Sequence, residues 1–185
     1  MFIQTEATPN PATLKFLPGR SVLEGGTADF PDVEAATRSP LAQRLFEIAG
    51  VSGVFLGADF VTVTKEHDSD WQLMKPAILG VIMEHFTAGR PTVLDAPEAA
   101  ASVADHVDDD PVVMQIRDLI DTRVRPAVAM DGGDIIFHRF EDGVVYLQMQ
   151  GACSGCPSST ATLKMGIENM LRHYIPEVME VRPVM

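Results

Sequence analysis

The sequence predicts an α/β (α+β) protein of two small domains, each a small sheet with two helices. Its length of 185 residues suits one domain or two small ones. An acidic stretch near the middle separates two halves, and each half alternates strand-like with helix-like patterns. Hydrophobic residues make up 46% of the chain, which gives each half enough apolar material for a core.

The acidic stretch at 95–110 predicts a flexible linker. It carries six Asp or Glu side chains, no Lys or Arg, and few large apolar residues. Such a segment buries too little apolar surface to offset the entropy lost when its backbone is ordered. We therefore predict domains at 1–94 and 111–185, joined by this linker.

The first domain is predicted to contain two strands, a helix, two more strands and a second helix. Prolines on either side of Asn10 separate the first two strands, because proline lacks a backbone donor and favours turns. Ser39 followed by Pro40 is typical of a helix start, and Gly50 of a helix end. In chain order, the expected bounds are 2–8, 13–17, 40–50, 54–56, 60–63 and 71–87.

The second domain is predicted to open with a helix at Pro111. The Arg125-Pro126 step is expected to disfavour a clean continuation of this helix, because the residue before a proline avoids the helical region. Residues at helical spacing form its apolar face, which is expected to be buried. These residues are Val113, Ile116, Ile120 and Val124.

A hairpin, a helix and a last strand complete the second domain. The Asp131–Asp134 turn is expected to shape the entry to a hairpin over 135–140 and 144–150. A helix follows over 157–174, and a strand over 178–184. The buried stripe of that helix is expected to comprise Leu163, Ile167, Met170, Leu171 and Tyr174.

The net charge of −12 weighs against two classes of partner. An acidic chain lacks the positive field that attracts a nucleic-acid backbone, and anionic lipid surfaces repel it. The sequence has no run of about 18 apolar residues, and its first residues lack the pattern of a secretory signal. We therefore expect no nucleic-acid or membrane partner, and a cytoplasmic location in a bacterium, or a mitochondrial matrix if a leader was removed.

The two cysteines of the chain, Cys153 and Cys156, are separated by two residues. This spacing lets both sulfurs turn toward one point, which is why it recurs in metal sites. Gly151 and Gly155 permit unusual backbone conformations, and Pro157 begins a helix. The partial positive charge at the helix N-terminus is expected to favour the thiolate.

One such pair supplies two ligands, whereas a tetrahedral zinc or iron–sulfur site needs four. No histidine has ligand spacing to the pair, so a symmetric dimer with the site on its two-fold axis is the simplest completion. From spacing alone, a metal site, a thiol–disulfide redox pair and structural cysteines all remain open. The redox pair is the less favoured, because no aromatic residue precedes Cys153 and the motif follows a hairpin.

Two segments resemble a known family. Residues from Asp131 to Glu168, with the Asp-Gly-Gly-Asp turn and the Gly-Ala-Cys-Ser-Gly-Cys-Pro loop, resemble the C-terminal Nfu domain of NifU. Residues 2–16 resemble the separate N-terminal domain of Nfu proteins. The resemblance implies an iron–sulfur cluster scaffold or carrier rather than an enzyme. It also implies that Cys153 and Cys156 bind a [4Fe–4S] cluster, or alternatively a [2Fe–2S] cluster, between two subunits.

The resemblance further implies partners of two kinds. Upstream cluster-assembly proteins supply the cluster, and apo iron–sulfur client proteins receive it. The alternatives are a thiol–disulfide oxidoreductase and a zinc-bridged adaptor that use the same cysteine pair. Because the loop is expected near the surface, we also expect that substitution of either cysteine leaves the fold largely intact.

Overall fold

The computed structural model describes residues 1–94, 110–154 and 157–184, with the backbone alone at 157–159. The chain divides into two compact units, Met1–Ala100 and Ala101–Met185. The predicted linker lies outside the described residues apart from Asp110, so the domain boundaries stay a prediction. No helix in the described part of the chain is long and apolar enough to cross a membrane.

The first unit is built on a five-stranded antiparallel sheet with the order β1-β2-β5-β4-β3. Its strands are β1 Gln4–Ala7, β2 Thr13–Leu17, β3 Ala28–Phe30, β4 Val51–Leu56 and β5 Val61–Lys65. Its helices are α1 Pro40–Phe46 and α2 Trp71–Thr87, with a short 3-10 helix at Ala35–Arg38. Phe16 and Val63 of the central strands and Ile78 of α2 are fully buried in one apolar core.

The first unit departs from the predicted bounds in several elements; β4, for example, begins at Val51 and not at position 54. Helix α1 ends at Phe46, four residues before Gly50. Strand β3 was not predicted, because three residues are too few to display a strand alternation. Helix α2 has the predicted bounds, and Asp70 caps it by accepting a hydrogen bond from Gln72 N.

The second unit contains a three-stranded sheet with the order β6-β7-β8. Strands β6 and β7 form an antiparallel hairpin, and β8 pairs in parallel with β7. The strands are β6 Gly133–Glu141, β7 Val144–Gly151 and β8 Glu180–Val184. The helices are α3 Pro111–Leu119, a π-helical segment Ile120–Val124, α4 Arg125–Met130 and α5 Pro157–Tyr174. Both units therefore confirm the predicted mixture of a small sheet with helices.

The first helix of this unit does not continue cleanly to the Arg125-Pro126 step, in agreement with the prediction. Regular α geometry ends at Leu119, the π-helical segment extends to Val124, and the α-helix resumes at Arg125 and ends at Met130. In a regular α-helix a proline ring clashes with the carbonyl one turn earlier, and a widened turn relieves that crowding. The predicted apolar face is confirmed, since Ile116 and Ile120 are at most 1% exposed.

One end of the α5 stripe was predicted wrongly. Ile167 and Leu171 are buried, as expected, but Tyr174 is 43% exposed. The helix ends at Tyr174, and the next residue, Ile175, is 1% exposed. Because the chain changes direction there, the buried position passes to Ile175.

Candidate metal centre

The cysteine loop follows β7 and leads into α5. Gly151 ends the strand with a φ of 62°, a left-handed conformation that glycine adopts at little cost. Cys153 is 6% exposed and belongs to the apolar core of the second unit. The expectation of a surface loop is therefore wrong for Cys153. Cys156 lies outside the described residues, so its role stays a prediction.

The sulfur of Cys153 lies against the backbone of Gly133, the first residue of β6. A Cβ atom on Gly133 would lie 2.6 Å from Cys153 Sγ and 2.8 Å from the carbonyl oxygen of Gln150. Both distances are well inside van der Waals contact, and the carbonyl belongs to the paired strand. The position of the sulfur therefore requires glycine at 133.

Hydrogen bonds hold the backbone on both sides of the sulfur. Ala152 N donates to the carbonyl oxygen of Gly132 at 3.2 Å. Thr160 Oγ1, in the first turn of α5, donates to the carbonyl oxygen of Cys153 at 3.2 Å. The loop is thus tied both to the entry of β6 and to α5, which places Cys153 before any ligand binds.

The pKa of the Cys153 thiol is raised to about 12, first by burial and then by the negative charges of Asp131 and Asp134. The predicted preference for the thiolate is therefore wrong for this residue. Helix α5 begins only at Pro157, and a helix dipole acts strongly only within about its first turn. The free residue is therefore a protonated thiol near neutral pH. A metal has to displace that proton when it binds.

A partly buried ion pair joins α4 to β6 beside the cysteine loop. Arg125 Nε and Nη2 donate to the two carboxylate oxygens of Asp134, each at 2.9 Å. Ile135 N donates to Asp134 Oδ1 at 2.8 Å, and the Asp134 side chain is 3% exposed. The hydrogen bonds to Asp134 raise the pKa of Arg125. The predicted role of Asp134 was too narrow, because the turn itself is made by Asp131 and Gly132.

Within the described residues, no three His, Cys, Asp or Glu side chains form a group suited to a metal ion. Of the two predicted ligands, the structure describes Cys153. Sequence reasoning missed Gly133 and Arg125 as contributors to the site. The double glycine of the turn was a signal for Gly133, whereas nothing in the sequence pairs Arg125 with a carboxylate nine residues away.

Two families match the sequence in chain order. Residues 3–89 match the family described as scaffold protein Nfu/NifU N terminal. Residues 116–182 match the family described as NifU-like domain. Together the two matches span most of the chain, and the second includes both cysteines.

Two mitochondrial proteins are similar to nearly the whole chain, and one solved structure is similar to half of it. The mitochondrial NFU1 iron-sulfur cluster scaffold homolog of Homo sapiens is 55% identical, over 100% of this chain and 72% of that protein. The mitochondrial NifU-like protein 4 of Arabidopsis thaliana is 54% identical, over 96% of this chain and 64% of that protein. A solution structure of a NifU-like protein from Saccharomyces cerevisiae is 28% identical. It covers 50% of this chain and 84% of that one, with a TM-score of 0.45.

Proposed function

Because the chain belongs to the Nfu/NifU family of iron–sulfur cluster scaffold proteins, we propose that it binds a [4Fe–4S] cluster at a homodimer interface and passes it to apo-protein clients. Cys153 and Cys156 of each copy are the ligands. The cluster is cargo, since the group that the protein receives is the group that it releases. The protein is therefore a carrier and not an enzyme.

The count of available thiolates carries this proposal. The sequence has two cysteines, both in one loop, whereas a [4Fe–4S] cluster takes four thiolates. A second copy related by a two-fold axis supplies an identical pair. Cluster binding and dimerisation are then linked, because a ligand that binds only the dimer stabilises the dimer.

Transfer follows from the same arrangement. A cluster at the seam between two copies is accessible to the thiolates of a client, which replace those of Cys153 and Cys156 by ligand exchange. Upstream assembly proteins supply the cluster by the same kind of ligand exchange, with this protein as the receiver. The names of the similar proteins favour the mitochondrial location over the bacterial cytoplasm.

Anaerobic reconstitution with iron and sulfide tests the proposal. The full chain is expected to turn brown, to contain about four irons per dimer, and to double its mass in light scattering when loaded. Cys153→Ala and Cys156→Ala are each expected to take up no cluster and to keep the mass of the unloaded protein. Alanine is the better substitution, because serine would place a hydroxyl in the core at 153 and can itself bind iron.

Other results would assign the cysteine pair differently. A colourless protein that reduces disulfides would be a dithiol oxidoreductase, and one that retains zinc and resists iron would be a zinc-bridged adaptor. A complete cluster in a monomer would contradict the bridging geometry. Circular dichroism of both alanine variants separates loss of ligand from loss of fold.

A further inference from the structure

A buried carboxylate beside a metal-binding thiol opposes the binding of anionic groups. The Asp134 side chain is 3% exposed, and Asp134 directly follows Gly133, whose backbone lies against the sulfur of Cys153. Four thiolates outweigh the positive charge of an iron–sulfur core, so the bound cluster is a net anion. In a poorly solvated site, like charges repel more strongly than in water. A cation close to Asp134 therefore weakens this repulsion.

Arg125 is that cation. Its guanidinium meets both carboxylate oxygens of Asp134 at 2.9 Å, in the two-pronged geometry in which arginine binds carboxylates most strongly. Arg125 Nη1 also donates to Asp121 Oδ1 at 3.3 Å, one helical turn earlier. These three contacts hold the guanidinium in one place, so its charge offsets that of Asp134 from a fixed position.

The local helix geometry directs Arg125 toward β6. The π-helical segment Ile120–Val124 ends at the residue before Arg125. A π turn contains an additional residue, so every later side chain is rotated relative to a regular α-helix. Such segments are rare and occur frequently at functional sites. The π turn therefore affects the direction of the Arg125 side chain, and Arg125 is the residue that contacts Asp134.

We propose that Arg125 is an electrostatic positioning residue of the cysteine site, which neutralises Asp134 so that Cys153 can hold a negatively charged cluster. This inference rests on the proposed function and deepens it. The same hydrogen bonds fix the start of β6, where Gly133 contacts the sulfur of Cys153. Arg125 acts through Asp134 and is not itself a ligand.

The midpoint potential of the bound cluster tests the proposal in the reconstituted full chain. Arg125→Gln leaves the charge of Asp134 without its partner, which disfavours addition of an electron, so the potential is expected to fall. Asp134→Asn removes the negative charge and is expected to raise the potential. The double variant Arg125→Gln/Asp134→Asn lacks both charges and is expected to lie between the single variants, near the wild type.

Loss of cluster to a chelator provides a second readout. Arg125→Gln is expected to release the cluster about ten- to a hundredfold faster, the range typical of residues that support metal ligands. Arg125→Lys keeps the charge and is expected to keep the wild-type potential. Arg123→Gln is the matched control, because Arg123 lies two residues before Arg125 but over the ring of Tyr174. It is expected to change neither readout.

A purely structural role for Arg125 predicts a different pattern. In that case Arg125→Gln and Asp134→Asn both lower stability, and any cluster that remains has the wild-type potential; this result would overturn the proposal. If Arg125→Gln does not fold, Asp134→Asn must still have a higher potential than the double variant, and equal potentials would refute the idea. A wild-type chain that takes up no cluster would instead defeat the proposed function.

Discussion

Because Gly133 has no side chain, the sulfur of Cys153 lies closer to the backbone at position 133 than it could if any other residue stood there. We expect Gly133→Ala to lower the free energy of unfolding of the second unit by about 1–3 kcal/mol, since the added Cβ overpacks a buried contact. The displaced sulfur is also expected to reduce the iron bound per chain. Urea unfolding and iron analysis after reconstitution measure the two effects.

Gly166 provides the matched control for Gly133. It lies within α5, and a Cβ there would meet nothing within 4 Å. Gly166→Ala is expected to raise the free energy of unfolding by about 0.5–1 kcal/mol, because alanine favours the helix, and to leave iron content unchanged. Equal iron content in the two alanine variants would contradict the role assigned to Gly133.

His85 is expected to make the stability of the first unit depend on pH. Its side chain is fully buried. Burial, followed by the charges of Arg90 and Arg44, lowers its pKa below 6.5, and a hydrogen bond with the backbone of Arg90 opposes this shift only in part. The native state therefore stays neutral at His85 where the unfolded chain is protonated.

The sign of the effect follows from proton uptake. Below about pH 6.5 the unfolded state binds a proton that native His85 does not. The free energy of unfolding therefore decreases as the pH is lowered. The fall is at most about 1.4 kcal/mol per pH unit and ends at the native pKa. His85→Phe is expected to remove this slope in urea unfolding between about pH 7.5 and 5.5. The control is the exposed His67, and His67→Gln should leave the pH dependence of stability unchanged. If His85→Phe also leaves it unchanged, this account of His85 is wrong.

At the scale of elements, the two ends of the β6–β7 hairpin are expected to differ in role. The turn contributes to the stability of the fold, whereas the other end supports cluster binding. Its turn pairs Glu141 with Val144, whereas its other end pairs Gly133 with Gly151 beside the cysteine loop. The two ends are roughly 25 Å apart, since a strand advances about 3.3 Å per residue. A change at the turn should therefore affect the fold without affecting the site.

Gly143→Ala tests this separation. Gly143 has a φ of 78°, and a Cβ there would lie 2.9 Å from Met179 Cγ. We expect the free energy of unfolding of the second unit to fall by about 1–2 kcal/mol, the cost of a left-handed non-glycine residue. Iron content after reconstitution should match the wild type. A loss of iron comparable to that of Gly133→Ala would show that the hairpin acts on the site as one body.

Elements with local signals could be predicted from the sequence, and elements set by packing could not. The Asp70 cap marks the start of α2, and the Asp142-Gly143 turn, with positive φ at both residues, marks the hairpin. Strand β3 and the π-helical segment have no such local mark. Their conformations depend on contacts with distant parts of the chain, and such contacts outweigh weak local preferences.

The same distinction applies to the site. The spacing of Cys153 and Cys156 is a local pattern, and it marked the loop as a candidate site while leaving a metal site, a redox pair and structural cysteines open. The burial of Cys153 and the resulting rise of its pKa depend on where Gly133 lies, twenty positions earlier in the sequence. The pairing of Arg125 with Asp134 likewise joins residues nine positions apart, and no local pattern marks it.

At the scale of the whole molecule, each unit has its own apolar core. The buried residues of one core all precede position 95, and those of the other all follow position 110. The single tryptophan, Trp71, packs against the first core and donates through Nε1 to the carbonyl oxygen of Pro11 at 3.2 Å. Its fluorescence therefore reports on the first unit alone.

Cluster loading is accordingly expected to stabilise one unit and not the other. A ligand that binds only the native second unit raises the free energy of unfolding of that unit, by about 2.7 kcal/mol at a hundredfold excess over its dissociation constant. Hydrogen exchange of β6 and β7 should slow on loading, whereas the urea midpoint followed by Trp71 should stay constant. A Trp71 midpoint that rises with cluster content would mean that the two units unfold together, because a ligand bound to one would then stabilise the core of the other.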